Sequence, residues 1–108
     1  MGVQRAMVDV DGAGRIIFTV EAPGAHAVEL VGAFDGWHEQ RFAMERRGES
    51  TWRLTLDPHP GTYLFRYRVD GRWVIDDAAH GVVTTPNGET KNRLYRPPVR
   101  LDPDAIAA

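Results

Sequence analysis

Tyr63-Leu64-Phe65-Arg66-Tyr67-Arg68-Val69-Asp70-Gly71-Arg72-Trp73-Val74-Ile75-Asp76 decides the fold of this chain. Bulky apolar and polar residues alternate on both sides of Asp70-Gly71. Asp-Gly between two alternating runs marks a two-residue hairpin, because both turn positions need positive φ. Such a turn sets the register. Val69 faces Arg72, Arg68 faces Trp73, Tyr67 faces Val74 and Arg66 faces Ile75. Directly opposed residues share one face of a sheet. Tyr63, Phe65, Tyr67, Val69 and Val74 therefore point to the core, and Trp73 falls on the opposite face beside Arg68 and diagonal to Arg66. A tryptophan displayed among arginines calls for a function.

The rest of the chain bounds what that function can be. With 108 residues there is room for one core, which we assign to residues 1–98, leaving 99–108 as a loosely held tail. A formal net charge of -2 gives no electrostatic case for nucleic acid or an anionic membrane. Cysteine is absent, so neither disulfides nor thiolate chemistry enter. No apolar run approaches the ~20 residues of a membrane helix, and the amino terminus does not read as a signal peptide. A cytoplasmic protein is the expectation.

Along the chain, Val3 to Val10 is an irregular first strand and Asp11-Gly12-Ala13-Gly14 a turn. Asp9, Asp11 and Gly14 match a calcium loop poorly, since Val20 stands where a bidentate Glu is needed. Ile16 to Glu21 alternates cleanly, and Val28 to Val31 forms the next strand. Phe42 and Met44 lie on one short strand, Thr51 to Asp57 on another. After the hairpin come Val82 to Thr85, the turn Pro86-Asn87-Gly88, and a last strand near Thr90 to Tyr95. No segment sustains a 3.6-residue apolar period. About eight short strands with turn signals roughly every 8 to 12 residues predict an all-β sandwich.

Catalytic chemistry finds little support. Ser50 is the only serine and sits in a turn. His26, His38, His59 and His80 lack metal-ligand spacing. Asp76 and Asp77 are adjacent, hence on opposite faces of an extended chain, which is poor geometry for a carboxylate pair. No enzyme activity, no cofactor and no metal are expected. Of the tryptophans, Trp52 alternates with Leu54 and Leu56 and belongs to the core. Trp37 and Trp73 each follow an Asp-Gly turn, with Arg66 close to the second. One exposed indole could simply pack on a neighbouring loop. Two of them with a cation suit the C–H face and hydroxyl rim of a sugar; stacked bases would fit equally, but the acidic balance argues against them.

Val31-Gly32-Ala33-Phe34-Asp35-Gly36-Trp37, followed by Pro60-Gly61-Thr62-Tyr63 through Trp73 to Asp76, resembles the family 48 carbohydrate-binding modules. These include the glycogen-binding domain of the AMP-activated protein kinase β subunit and the early-set domains of isoamylases and branching enzymes. The likeness spans about Ile16 to Tyr95 and implies an immunoglobulin-like early-set β-sandwich of seven to eight strands. It also implies sugar-binding roles. Trp37 and Trp73 match the two stacking tryptophans of the kinase module, and Arg66 stands where that module has a hydroxyl-binding lysine. Asn92 is the candidate for its sugar-binding asparagine, with Lys91 competing for the position. Asn87 lies in the loop that enters the glucan helix, where that module carries an apolar residue. The resemblance thus implies non-catalytic binding of α-1,4-glucans such as glycogen, starch or maltooligosaccharides. The rival from another class is an interaction module that docks a glycogen-metabolising enzyme or kinase and binds no sugar.

Overall fold

A computed structural model describes residues 5–35, 38–76 and 81–98. The described residues form ten strands and no helix: β1 (Arg5–Val10), β2 (Ile16–Glu21), β3 (Val28–Gly32), β4 (Gln40–Ala43), β5 (Glu45–Arg46), β6 (Thr51–Leu56), β7 (Gly61–Val69), β8 (Arg72–Val74), β9 (Val82–Thr84) and β10 (Thr90–Arg96). They make two antiparallel sheets, one ordered β1-β2-β6-β5, the other β4-β3-β7-β10-β9 with β8 also on β7. The all-β sandwich stands, with the second arm of the hairpin as β8 and Val82 to Thr84 as β9; the strand not foreseen is β5, only two residues long. A two-residue strand shows no alternation of its own.

The core lies between the sheets. Ile16, Phe18, Val20 and Trp52 from the first sheet meet Val28, Leu30, Phe65, Tyr67 and Leu94 from the second. Phe18 is at its centre, edge-on to Phe65 (5.2 Å between centroids), Phe34 (5.7 Å) and Tyr67 (6.5 Å). Edge-to-face rings add about 0.5–1.5 kcal/mol per pair beyond burial. Trp52 opposes Val20 and is buried, as its alternation predicts.

The strand expected to hold Phe42 and Met44 is split in two. Phe42 and Met44 do not share a strand: β4 pairs with β3, β5 pairs with β6, and the chain changes sheets at Met44. Met44 donates its amide to Val28 O at 2.9 Å and buries its side chain at the crossing. Alternating apolar residues look the same whether a strand continues or switches sheets.

Two further ties hold the second sheet in place. A Cβ on Gly32 would lie 2.7 Å from a Phe34 ring carbon and 2.9 Å from Leu64 O, so glycine lets β3 lie this close beside β7. Arg96, buried at the end of β10, donates Nε to Gly14 O at 2.9 Å, joining this strand to the β1–β2 turn of the other sheet.

Candidate functional site

The hairpin forms as its turn dictates. Asp70 has φ 48° and Gly71 φ 81°, and β7 pairs with β8 in the expected register, Tyr67 with Val74, Arg68 with Trp73 and Val69 with Arg72. Asp70 also anchors the tip. Its Oδ1 accepts the amides of His26 (2.9 Å) and Ala27 (2.8 Å), and its own amide donates to Ala27 O at 3.0 Å. The amides of Ala27 and His26 hold the Asp70 carboxyl below its ordinary range.

Trp73 accordingly stands on the outer face of the second sheet with 42% of its surface exposed. Beneath it lies Arg66, only 8% exposed, whose guanidinium carbon sits 3.6 Å from the Trp73 ring centroid. The Arg68 guanidinium is 5.3 Å from the same ring. A guanidinium stacked on an indole gains from the ring quadrupole as well as from contact. With one side of the indole taken by Arg66, its exposed area is left for a ligand. Arg66 opposes Val31 on β3, and Val31 opposes Arg41 on β4, so the floor beside the ring is apolar at its centre and cationic at its margin.

The turn between β9 and β10 completes this face. Thr85 N donates to Glu89 O (2.8 Å) and Gly88 N to Thr85 O (2.9 Å), closing a tight loop in which the Thr85 hydroxyl meets Asn87 Oδ1. The Glu89 carboxylate is divided between two partners: Oε1 accepts Asn87 Nδ2 at 2.7 Å, and Oε2 pairs with an Nη of Arg66. Those two contacts, Asn87 foremost, keep the Glu89 carboxyl below its usual range. Trp73, Arg66, Glu89, Asn87 and Thr85 form one connected chain of contacts across the outer face.

The two candidates on β10 part company. Asn92 opposes Phe65 and is fully buried; its Oδ1 accepts the amide of Asp76 at 2.8 Å. Its side chain therefore points into the sandwich and does not reach the outer face where a sugar-binding asparagine was expected. Successive residues of a strand alternate sides, so Lys91 takes that face, level with Arg66, and its Nζ lies 3.2 Å from Glu39 Oε2. Trp37 lies outside the described residues. Glu89 was missed as a site residue. The sequence carries one signal for it, a spacing of two from Lys91, and that becomes informative only once β10 is known to pair with β7.

Comparison with known proteins agrees with this architecture. A family model described as "Carbohydrate-binding module 48 (Isoamylase N-terminal domain)" matches residues 2–98. The chain is 40% identical over 70 residues to "Protein PTST homolog 2, chloroplastic" of Arabidopsis thaliana, covering 65% of this chain and 13% of that protein. It is 34% identical over 100 residues to the 1,4-alpha-glucan branching enzyme GlgB of Rhodopseudomonas palustris (strain HaA2), covering 92% of this chain and 11% of the enzyme. Among solved structures, pullulanase type I from Bacillus subtilis complexed with maltose superposes with a TM-score of 0.61 at 23% identity, over 94% of this chain and 14% of that one. A pullulanase from Anoxybacillus complexed with maltotetraose gives 0.59 at 24% identity, over 82% of this chain and 13% of that one. These structures share the fold, and the chain spans a small part of each protein it matches. By its family match and by its sandwich, the chain belongs to the family 48 carbohydrate-binding modules.

Proposed function

We propose that this domain binds α-1,4-glucans without acting on them, using the outer face of the second sheet. The observation that carries the proposal is Trp73, half-exposed and backed by the Arg66 guanidinium at 3.6 Å. A flat ring held rigid from beneath suits the C–H face of a glucose unit, and loses little freedom when the sugar arrives. Lys91 at the same level supplies a donor to hydroxyls, and Trp37 is the second ring that the family likeness adds. Family membership supports a sugar ligand. The branching enzyme and the pullulanases solved with maltose and maltotetraose support an α-glucan. Catalysis on glycogen is not proposed: Asp76 is buried and Glu89 is committed to Arg66 and Asn87, so neither of these described carboxylates is free for acid–base work.

Retention of the purified domain on amylose resin, eluted by maltoheptaose, tests the proposal directly. Affinity for short maltooligosaccharides should fall at about 10 μM to 1 mM, as an open face with few stacking rings implies. Passage through amylose without delay would refute it. Enzyme-dependent release of reducing sugar from glycogen would refute the non-catalytic half.

A further inference from the structure

We infer that Glu89 is the positioning residue of this face: it holds the Arg66 guanidinium under the Trp73 ring and cancels its charge, so that the platform selects a neutral sugar over an anion. The inference rests on the glucan-binding proposal for its ligand, but on geometry for the role itself.

Arg66 breaks the alternation of its strand. Phe65, Arg66 and Tyr67 are all buried, although Arg66 lies on the outer face with Val31. A cation removed from water to that extent requires a counter-charge. Among the described residues Glu89 is its one ion-pair partner. The carboxylate is also pre-set before any ligand arrives. Its own backbone carbonyl takes the Thr85 amide, and Oε1 is held by Asn87 at 2.7 Å, leaving Oε2 aimed at Arg66. A guanidinium tethered at one nitrogen and flat against an indole has little rotational freedom, and the indole it supports inherits that restriction.

The electrostatic half follows from the neighbours. Arg68 lies 5.3 Å from the Trp73 ring, while Arg66 and Lys91 share the face. Lys91 is balanced by Glu39 at 3.2 Å. With Arg66 balanced by Glu89, the ring is left with Arg68, which stands opposite Glu29 of β3 and makes no ion pair within 4 Å among the described residues. Without Glu89, the Arg66 guanidinium would lose its counter-charge beside that of Arg68, and the face would favour a sulfated or phosphorylated polymer.

The test compares the wild-type protein with Glu89→Ala and Glu89→Gln, using maltoheptaose, dextran sulfate, thermal melting and proton NMR of the Arg66 side chain. In the wild type the Arg66 methylene protons should be shifted upfield by the Trp73 ring current. Glu89→Ala should lose that shift, bind maltoheptaose at least about fivefold more weakly and bind dextran sulfate more tightly. Glu89→Gln keeps a hydrogen-bond acceptor for Arg66 but no charge; it should keep most of the shift yet still gain dextran sulfate. Retention of the upfield shift in Glu89→Ala, or unchanged affinity for both polymers in a folded Glu89→Ala, would overturn the inference. Should Glu89→Ala not fold, unchanged dextran sulfate binding in Glu89→Gln overturns it alone. If the wild type ignores maltoheptaose, the glucan proposal fails by itself, and the ring-current and dextran sulfate comparisons still decide the role of Glu89.

Discussion

The guanidinium carbon of Arg66 rests 3.6 Å from the centroid of the Trp73 ring, across the two strands of a single hairpin. This contact turns an exposed indole into a supported platform, and it explains why a charged residue in the middle of β7 is buried. The arrangement needs both halves. The turn at Asp70-Gly71 places Trp73 on the outer face, and Glu89 neutralises the cation beneath it.

Trp73→Ala should therefore abolish retention on amylose while changing stability by less than about 1 kcal/mol, as for a surface substitution. Trp52→Ala should do the reverse and cost ~3–5 kcal/mol, since Trp52 is 7% exposed and its removal leaves a void beside Val20. Thermal melts and amylose retention on the two variants separate platform from core. Unfolding of Trp73→Ala would show that the ring is structural.

Asn92→Ala should lower stability by about 1–3 kcal/mol, because the buried amide of Asp76 loses its acceptor. Maltoheptaose affinity of the folded variant should stay at the wild-type value, the side chain being turned away from the outer face. A selective loss of binding at unchanged melting temperature would restore Asn92 to the sugar site.

Gly32→Ala should destabilise the domain by ~1–3 kcal/mol, the usual cost of forcing a methyl into filled space. The added carbon would meet the Leu64 carbonyl at 2.9 Å, which cannot swing aside as a flexible side chain would. Chemical denaturation should show a lower midpoint with an unchanged slope. A melting temperature equal to that of the wild type would mean that β3 and β7 separate more readily than their packing implies.

Acid should weaken the fold through the hairpin tip. The carboxyl of Asp70 is held below its unfolded value of 3.8 by the amides of Ala27 and His26, so it contributes stability at pH values above that range. That contribution is lost as pH falls through the lowered folded value. Glu89, lowered from 4.5 by Asn87 and Arg66, acts in the same direction. Melting temperature should be flat at neutral pH and drop below about pH 4. Asp70→Asn should start lower and lose less on acidification; an identical decline in wild type and variant would remove Asp70 from the account.

The hairpin and the face of Trp73 could be worked out from the amino-acid order because a two-residue turn couples register to parity over a few positions. The same locality made Trp52 a core residue and the chain all-β. What the sequence alone left open was every relationship between strands that are not neighbours along the chain. Whether Lys91 or Asn92 faces outward depends on β10 pairing with β7, Asn92 opposite Phe65, and a slip of one residue would exchange them. Glu89 reaches Arg66 from 23 positions away by that same pairing. Phe42 and Met44 alternate as one strand would, yet the chain crosses between sheets at Met44. Local alternation says only that a residue has two sides to choose between. Closing the two sheets over Phe18 chose the partners, and so decided which charges meet beneath Trp73.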